Sequence, residues 1–366
     1  METYYDKLDE IKQLVAKYFT VEDVFYEAGL LTFLISDREI KEKFKALYMD
    51  LRKLGFAPTA KREDGKIVIR IFRYQEPAPS ISRFRNLPLY LFIATLVIVA
   101  VDGYLRASSP IYDLLSARST LADKIVESAL FTASLMMIIG LHELGHMIAA
   151  KKSGMKASPP YFIPGIPTYL PTFGAVIFQK GPIVNRDDMF DIGFSGPVTS
   201  FLVSIAVAAL AFYRAIWFPE AKYLSIVKQI QEMGGGFLPS PLLFNLLYFV
   251  LGKPGMLPIF TTIGFAAWLG LLVTALNLFP IWQLDGGRIF RSVLTAKQHK
   301  IASYISLAVL ALTGYFFFAL LLLLLMPRAP DIPPLDQVSP LSRSRKLAFI
   351  SIFIIIVLSF VPAFYF

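Results

Sequence analysis

The sequence predicts a polytopic α-helical membrane protein: about six transmembrane helices, a re-entrant β-hairpin or loop, and a small N-terminal α+β soluble domain. Three observations predict it. Hydrophobic residues make up 55% of the 366 and charged residues only 17%, whereas a soluble domain carries nearer a quarter charged. The apolar residues lie in long runs, each near or above the roughly 20 residues that cross a bilayer as a helix. The first 83 residues lack such runs and show short periodic segments between turn signals instead.

In the N-terminal domain, Leu8, Ile11, Leu14, Val15 and Tyr18 recur at helical spacing within 4–18. Residues 21–36 read as two strands about Ala28-Gly29, and Ser36-Asp37 offers a cap for a second helix over 38–54. Residues 61–74 read as a hairpin turning at Asp64-Gly65, with Ile67, Ile69 and Ile71 alternating after it. The domain carries no catalytic motif. The first 19 residues are charged and amphipathic, so no signal peptide is expected there.

Residues 76–86, with Pro77, Pro79, Arg83 and Arg85, read as a linker ending in a basic membrane anchor. Six apolar segments follow, at 87–104, 125–150, 189–218, 257–281, 301–326 and 347–366. Two further apolar stretches are too broken to span. Residues 159–182 hold six prolines with Gly165, Gly174 and Gly181, and 241–252 makes only about three helical turns. Irregular backbone at membrane depth survives only when buried in protein or lining a wet cavity, so both read as re-entrant or interfacial pieces.

Six spans place both termini on one side. Arg83, Arg85, Lys151, Lys152, Arg288, Arg291, Lys297 and Lys300 then share a side, which the positive-inside rule makes cytoplasmic. Arg328, Arg343, Arg345 and Lys346 fall on the other side. The N-terminal domain is accordingly expected in the cytoplasm. The chain divides into a soluble domain at 1–83, a membrane core at 84–326, and a loop with a last helix at 327–366.

Composition excludes several chemistries. There is no cysteine, hence no disulfide, thiolate metal site or thiol nucleophile. The net charge of +9 does not point to nucleic acid, because the Lys and Arg residues flank apolar spans and suit anionic lipid headgroups. Histidine is scarce: His142, His146 and His299 are the full set.

Two of these histidines stand in Ile138-Ile139-Gly140-Leu141-His142-Glu143-Leu144-Gly145-His146, at the end of the second span. Residues at i and i+4 share a helix face, so His142 and His146 can hold one metal ion. Glu143 lies beside that face, within reach of a metal-bound water whose pKa zinc lowers to about 7. Such a cluster is costly inside an apolar span, and about eight residues back from Ala150 puts it about 12 Å deep. A catalytic zinc site needs a third protein ligand. His299 sits between Lys297 and Lys300 and reads as a solvated surface. Asp285 is the better candidate, following the fourth span on the same side, although Asp285-Gly286-Gly287 alone also reads as an ordinary turn.

Asp285 ends the stretch Asn277-Leu278-Phe279-Pro280-Ile281-Trp282-Gln283-Leu284-Asp285-Gly286-Gly287. With these two motifs, over about 87–326, the sequence resembles the site-2 protease family of intramembrane zinc metalloproteases. That family pairs a membrane H-E-x-x-H with a downstream N-x-x-P-x-x-x-L-D-G-G. The segments 171–177 and 193–197 resemble its archaeal and plant-chloroplast branch. The resemblance implies one zinc ion per chain on His142, His146 and Asp285, and Glu143 as the base that activates its water. It implies that Asn277 helps position the scissile peptide or its oxyanion. It further implies a membrane hairpin that meets substrate, for which Phe173, Gly174, Ala175, Val176 and Ile177 offer a strand edge; a loop packed over the site is the alternative. Gly193, Gly196 and Pro197 read as close helix packing. Gln283 departs from the proline many members have, and 219–256 is too short for a PDZ domain.

The activity so implied is regulated intramembrane proteolysis: peptide hydrolysis within or near the transmembrane helices of protein substrates in the lipid bilayer. Two other readings compete. A prenyl-peptide endoprotease also uses H-E-x-x-H in a membrane, but takes a glutamate from a later helix. A transporter, or an inactive relative serving as a scaffold, would also place ionisable residues in a span.

Overall fold

The computed structural model describes residues 7–75, 86–115, 120–236, 238–326 and 332–363. Most of the expected linker, and the start of the helix expected over 4–18, lie outside them.

The N-terminal elements follow the expected order: α1 (Leu8–Tyr18), β1 (Val21–Glu27), β2 (Leu30–Ile35), α2 (Lys41–Lys53), β3 (Phe56–Glu63) and β4 (Lys66–Arg73). The strands form one antiparallel sheet in the order β1-β2-β4-β3. Its core joins Ile11 and Val15 of α1 and Phe44, Leu47 and Leu51 of α2 to the alternating Ile67, Ile69 and Ile71. Positive φ at Ala28, Gly29, Asp64 and Gly65 makes both tight turns. The expected cap of α2 is not formed. The helix begins three residues later, because the Asp37 carboxylate instead accepts the Thr20 backbone N–H (2.7 Å) and the Lys43 ammonium group.

Next come α3 (Leu87–Ala107), the short α4 (Pro110–Leu114) and α5 (Leu121–Lys152). A small β5 (Lys156–Ala157) precedes the hairpin β6 (Tyr161–Ile166) and β7 (Leu170–Val176), and β8 (Gln179–Lys180) closes its base against β5. Then follow α6 (Arg186–Arg214), β9 (Ile216–Pro219), α7 (Glu220–Glu232), α8 (Leu242–Leu251), β10 (Met256–Ile259) and α9 (Thr262–Asn277). The chain ends with α10 (Asp285–Val293), α11 (Ala296–Leu312), α12 (Phe316–Leu325) and α13 (Arg343–Ser359).

Among the described residues three helices, α3, α5 and α6, are long and apolar enough to cross a membrane. The other expected spans are shorter or divided. The stretch 257–281 starts as β10, paired with β9, before α9 begins. The stretch 301–326 is two helices rather than one, reversing at Gly314, whose φ of +94° side chains rarely adopt. The turn at Thr313 accepts the Ala363 N–H near the end of α13 (2.8 Å), while α12 returns to bring the Leu322 carbonyl to Gln283. This reversal corrects the expected placement of Arg343, Arg345 and Lys346. Arg345 pairs with Asp187 and Asp191, and Asp188 meets Ser153, so α13 starts at the end of the bundle where α5 stops and α6 begins. Arg328 lies outside the described residues.

The bundle core packs α5 against α3, α6 and α9. Its outer surface carries Phe249 and Phe317, each more than four-fifths exposed, as lipid-facing positions would be. The N-terminal α+β region docks at the α5–α6 junction through Lys41 on Asp187 (3.1 Å) and Lys45 on Asp188 (2.9 Å). Residues 335–337 lie between the two parts: Ala60 N–H donates to Leu335, and Leu335 and Asp336 donate to Ile183 and Val184.

Candidate metal centre

The centre is built by three helices. Thr120 and Asp123 form a capping box that starts α5, and its 32 residues carry His142 and His146 to one buried face near the far end. Asn185 caps α6 by accepting the Asp188 N–H (2.8 Å), so that α6 runs back beside α5. Asp285 is the first residue of α10, and packing of Gly193 under it brings α10 against α6.

The structure brings together His142, His146 and Asp285, distant in sequence. Their ligand atoms lie within 4.8 Å of one another. Both histidine Nε2 atoms are 3.2 Å from Asp285 Oδ2 and 3.0 Å from each other. The other ring nitrogens are engaged: His146 Nδ1–H donates to the Ile192 carbonyl (2.6 Å), and His142 Nδ1 lies 3.1 Å from Ser200 Oγ. Ser200 rests against Thr274 Oγ1 (2.9 Å), whose proton goes to the Gly270 carbonyl (2.7 Å). Assigned from this network, both protons sit on Nδ1 and both Nε2 lone pairs face the gap. Two lone pairs and a carboxylate converging without a donor repel one another, and a cation among them removes the repulsion. Two imidazoles with one carboxylate is a donor set that suits zinc and leaves a coordination position open.

Glu143 is buried next to this set, within electrostatic reach of His146 and Asp285. A Cβ on Gly196 would stand 2.2 Å from His146 Nε2, so glycine there leaves room for the ring, and the expected close approach of α6 holds. Asn277 is the last residue of α9, half-buried, ahead of the turn that leads to Asp285.

Of the strand-edge residues, Phe173, Gly174, Ala175 and Val176 lie in β7, and Ile177 falls just past its end. Among the described residues β7 is paired on one side only, with β6, and Phe173 and Val176 are exposed. His299 is not on a solvated surface as its neighbours suggest. It is fully buried, its ring 4.2 Å from that of Trp282, and it takes no part in the metal cluster. Sequence reasoning missed Ser200, Thr274 and the Ile192 carbonyl, the groups that orient the two histidines.

An apolar helical bundle with a buried His-Glu-x-x-His helix and an aspartate from a later helix defines a class of membrane metallopeptidase folds. Within that class the chain belongs to peptidase family M50, whose family model matches residues 130–322. It is similar to the probable zinc metalloprotease EGY1, chloroplastic, of Oryza sativa subsp. japonica: 32% identical over 250 residues, covering 65% of this chain and 41% of the relative. It is 28% identical over 233 residues to the probable zinc metalloprotease EGY2, chloroplastic, of Arabidopsis thaliana, covering 62% of this chain and 40% of that protein. The chain thus spans about two fifths of the length of these relatives. No solved structure gives a significant match.

Proposed function

We propose that this chain is a zinc metalloprotease that hydrolyses peptide bonds within or near transmembrane helices of other membrane proteins, as in regulated intramembrane proteolysis. The convergence of His142, His146 and Asp285 beside Glu143, inside an apolar bundle, carries the reading. Held by these three ligands, zinc supplies Lewis acidity at the site. Glu143 takes a proton from the attacking water and gives it to the leaving amine as the C–N bond breaks. The Asn277 amide donates to the carbonyl oxygen as negative charge grows there. A peptide in an intact helix has its carbonyls occupied, so the substrate unwinds and its strand adds to the β7 edge at Phe173, Gly174, Ala175 and Val176, with Ile177 beyond.

The same end of the bundle gathers Lys151, Lys152, Arg288, Arg345 and the docked N-terminal domain, which favours a cytoplasmic placement of both. The division into 1–83, 84–326 and 327–366 belongs to this proposal, with the first part docking or regulating and the rest embedded in lipid.

Zinc content of purified chain is the first test. About one zinc per wild-type chain, lost or weakened in His142→Ala and in Asp285→Ala, is expected. Folded wild type that takes up no zinc would remove the protease reading. Glu143→Gln should then keep its zinc and lose about 10²-fold or more of cleavage of a transmembrane substrate. Cleavage at the wild-type rate would sink the assigned base.

A further inference from the structure

A second charged group lies inside the bundle, away from the metal centre. Asp102 is fully buried in α3, in the apolar first span. Its Oδ2 accepts Arg106 Nε–H one turn on (2.6 Å), and its Oδ1 accepts the backbone N–H of Thr168 (2.5 Å). Arg106 Nη2 donates to the Thr168 carbonyl (3.3 Å), and its guanidinium lies 3.9 Å above the Phe265 ring of α9. Thr168 sits in the turn between β6 and β7 with a φ of +71°.

The hairpin runs along α3. Phe162 near its start meets Phe92 with ring centroids 5.2 Å apart, and Thr168 at its turn meets Asp102. Ten residues of helix separate Phe92 from Asp102, about 15 Å along its axis. The turn's N–H and C=O at Thr168 lie outside the β6–β7 ladder and need other partners. Asp102 and Arg106 bind one each, and Pro167, beside Thr168, has no N–H to satisfy. Either charge alone would be costly in an apolar span; paired, they hold the turn from both sides.

We infer that Asp102 and Arg106 latch the hairpin turn to the first membrane helix, so that α3 and the hairpin form one body that positions the β7 edge for an incoming substrate strand. The two are positioning residues, remote from the reacting atoms. The role in substrate positioning rests on the proposed protease reading; the latch itself does not. It follows that substrate reaches β7 without the hairpin leaving α3.

The test uses the whole 366-residue chain in lipid nanodiscs, with amide hydrogen exchange over 161–176 as the primary readout. Asp102→Asn keeps an acceptor for Thr168 but loses the charge. It should speed exchange at the hairpin about 10-fold, leaving zinc content and exchange in the N-terminal domain unchanged. It should raise KM for a transmembrane substrate more than it lowers kcat. Arg106→Gln gives the same pattern if Asp102→Asn folds poorly. The chain has no native cysteine, so Asp102→Cys with Thr168→Cys can be bridged by a short bis-thiol reagent. The bridged form should recover wild-type exchange and KM. Unchanged exchange in both charge variants overturns the latch, whether or not the protein cleaves anything. A bridged form that is inactive while its unbridged parent is active overturns the positioning role. A zinc-loaded wild type that cleaves no substrate, with exchange responding as expected, defeats the protease reading and leaves the latch standing.

Discussion

Helix α5 carries two buried polar clusters, at Glu127 and at His142, about 22 Å apart along its axis. They are built on opposite logic. Glu127 is 1% exposed, yet its Oε1 accepts Arg214 Nη2–H (2.7 Å) and its Oε2 accepts the Thr262 hydroxyl (3.0 Å). Charge and hydrogen bonds close within the cluster, tying the start of α5 to the end of α6 and the start of α9. At His142 the geometry is turned inside out. Donors point outward, to the Ile192 carbonyl and Ser200, and acceptors converge on a gap. Burial alone therefore does not mark a functional group. What separates the two clusters is whether the buried acceptors meet donors or one another.

The largest effect that could break this contrast is Glu127→Ala. It leaves Arg214 without its buried carboxylate partner and should cost about 3 kcal/mol of stability. Zinc content should not change. Denaturant unfolding with a zinc assay on the surviving folded fraction checks both. Loss of zinc at unchanged stability would mean that the far cluster serves the metal, and the contrast would fall.

Ser200→Ala should act the other way round. The hydroxyl orients His142 but ties no helix by charge, so stability should hardly move. Zinc affinity should fall about 10-fold, in the range seen when groups behind a ligating histidine are removed. A chelator titration of purified protein reads this directly. An unchanged affinity would show that the His142 ring is fixed by packing alone.

The two clusters also differ in how far the sequence exposes them. His142, Glu143 and His146 are legible because a helix converts local spacing into a shared face, and Asp285 because a motif accompanies it. Ser200 and Thr274 look like any hydroxyl residue in an apolar helix. The Ile192 carbonyl is backbone and has no letter in the sequence. Asp102 had a signal, an acid in an apolar span, but its partner is the backbone of a distant turn. The N-terminal α+β region was readable because Ala28-Gly29 and Asp64-Gly65 set its turns and alternation set its buried face. Hydropathy misreads 301–326 because a reversal at one glycine leaves an apolar run unbroken. It misreads His299 because Lys297 and Lys300 point elsewhere on α11 while the histidine turns toward Trp282.

Surface pairs supply the smallest effect and the control for the contrast. Lys66 and Glu22 lie 3.0 Å apart, nearly the separation of Glu127 and Arg214, but on the N-terminal sheet with side chains 59% and 40% exposed. Water already solvates both charges, so the ions gain little from each other and lose side-chain freedom in meeting. Lys66→Ala should cost about 0.5 kcal/mol or less, and that little should vanish in high salt. Unfolding curves at low and high ionic strength measure it. A cost near that of Glu127→Ala would mean that distance, rather than burial, sets the strength of ion pairs here. Burial of the Glu127 carboxylate would then no longer explain how its cluster holds the helices together.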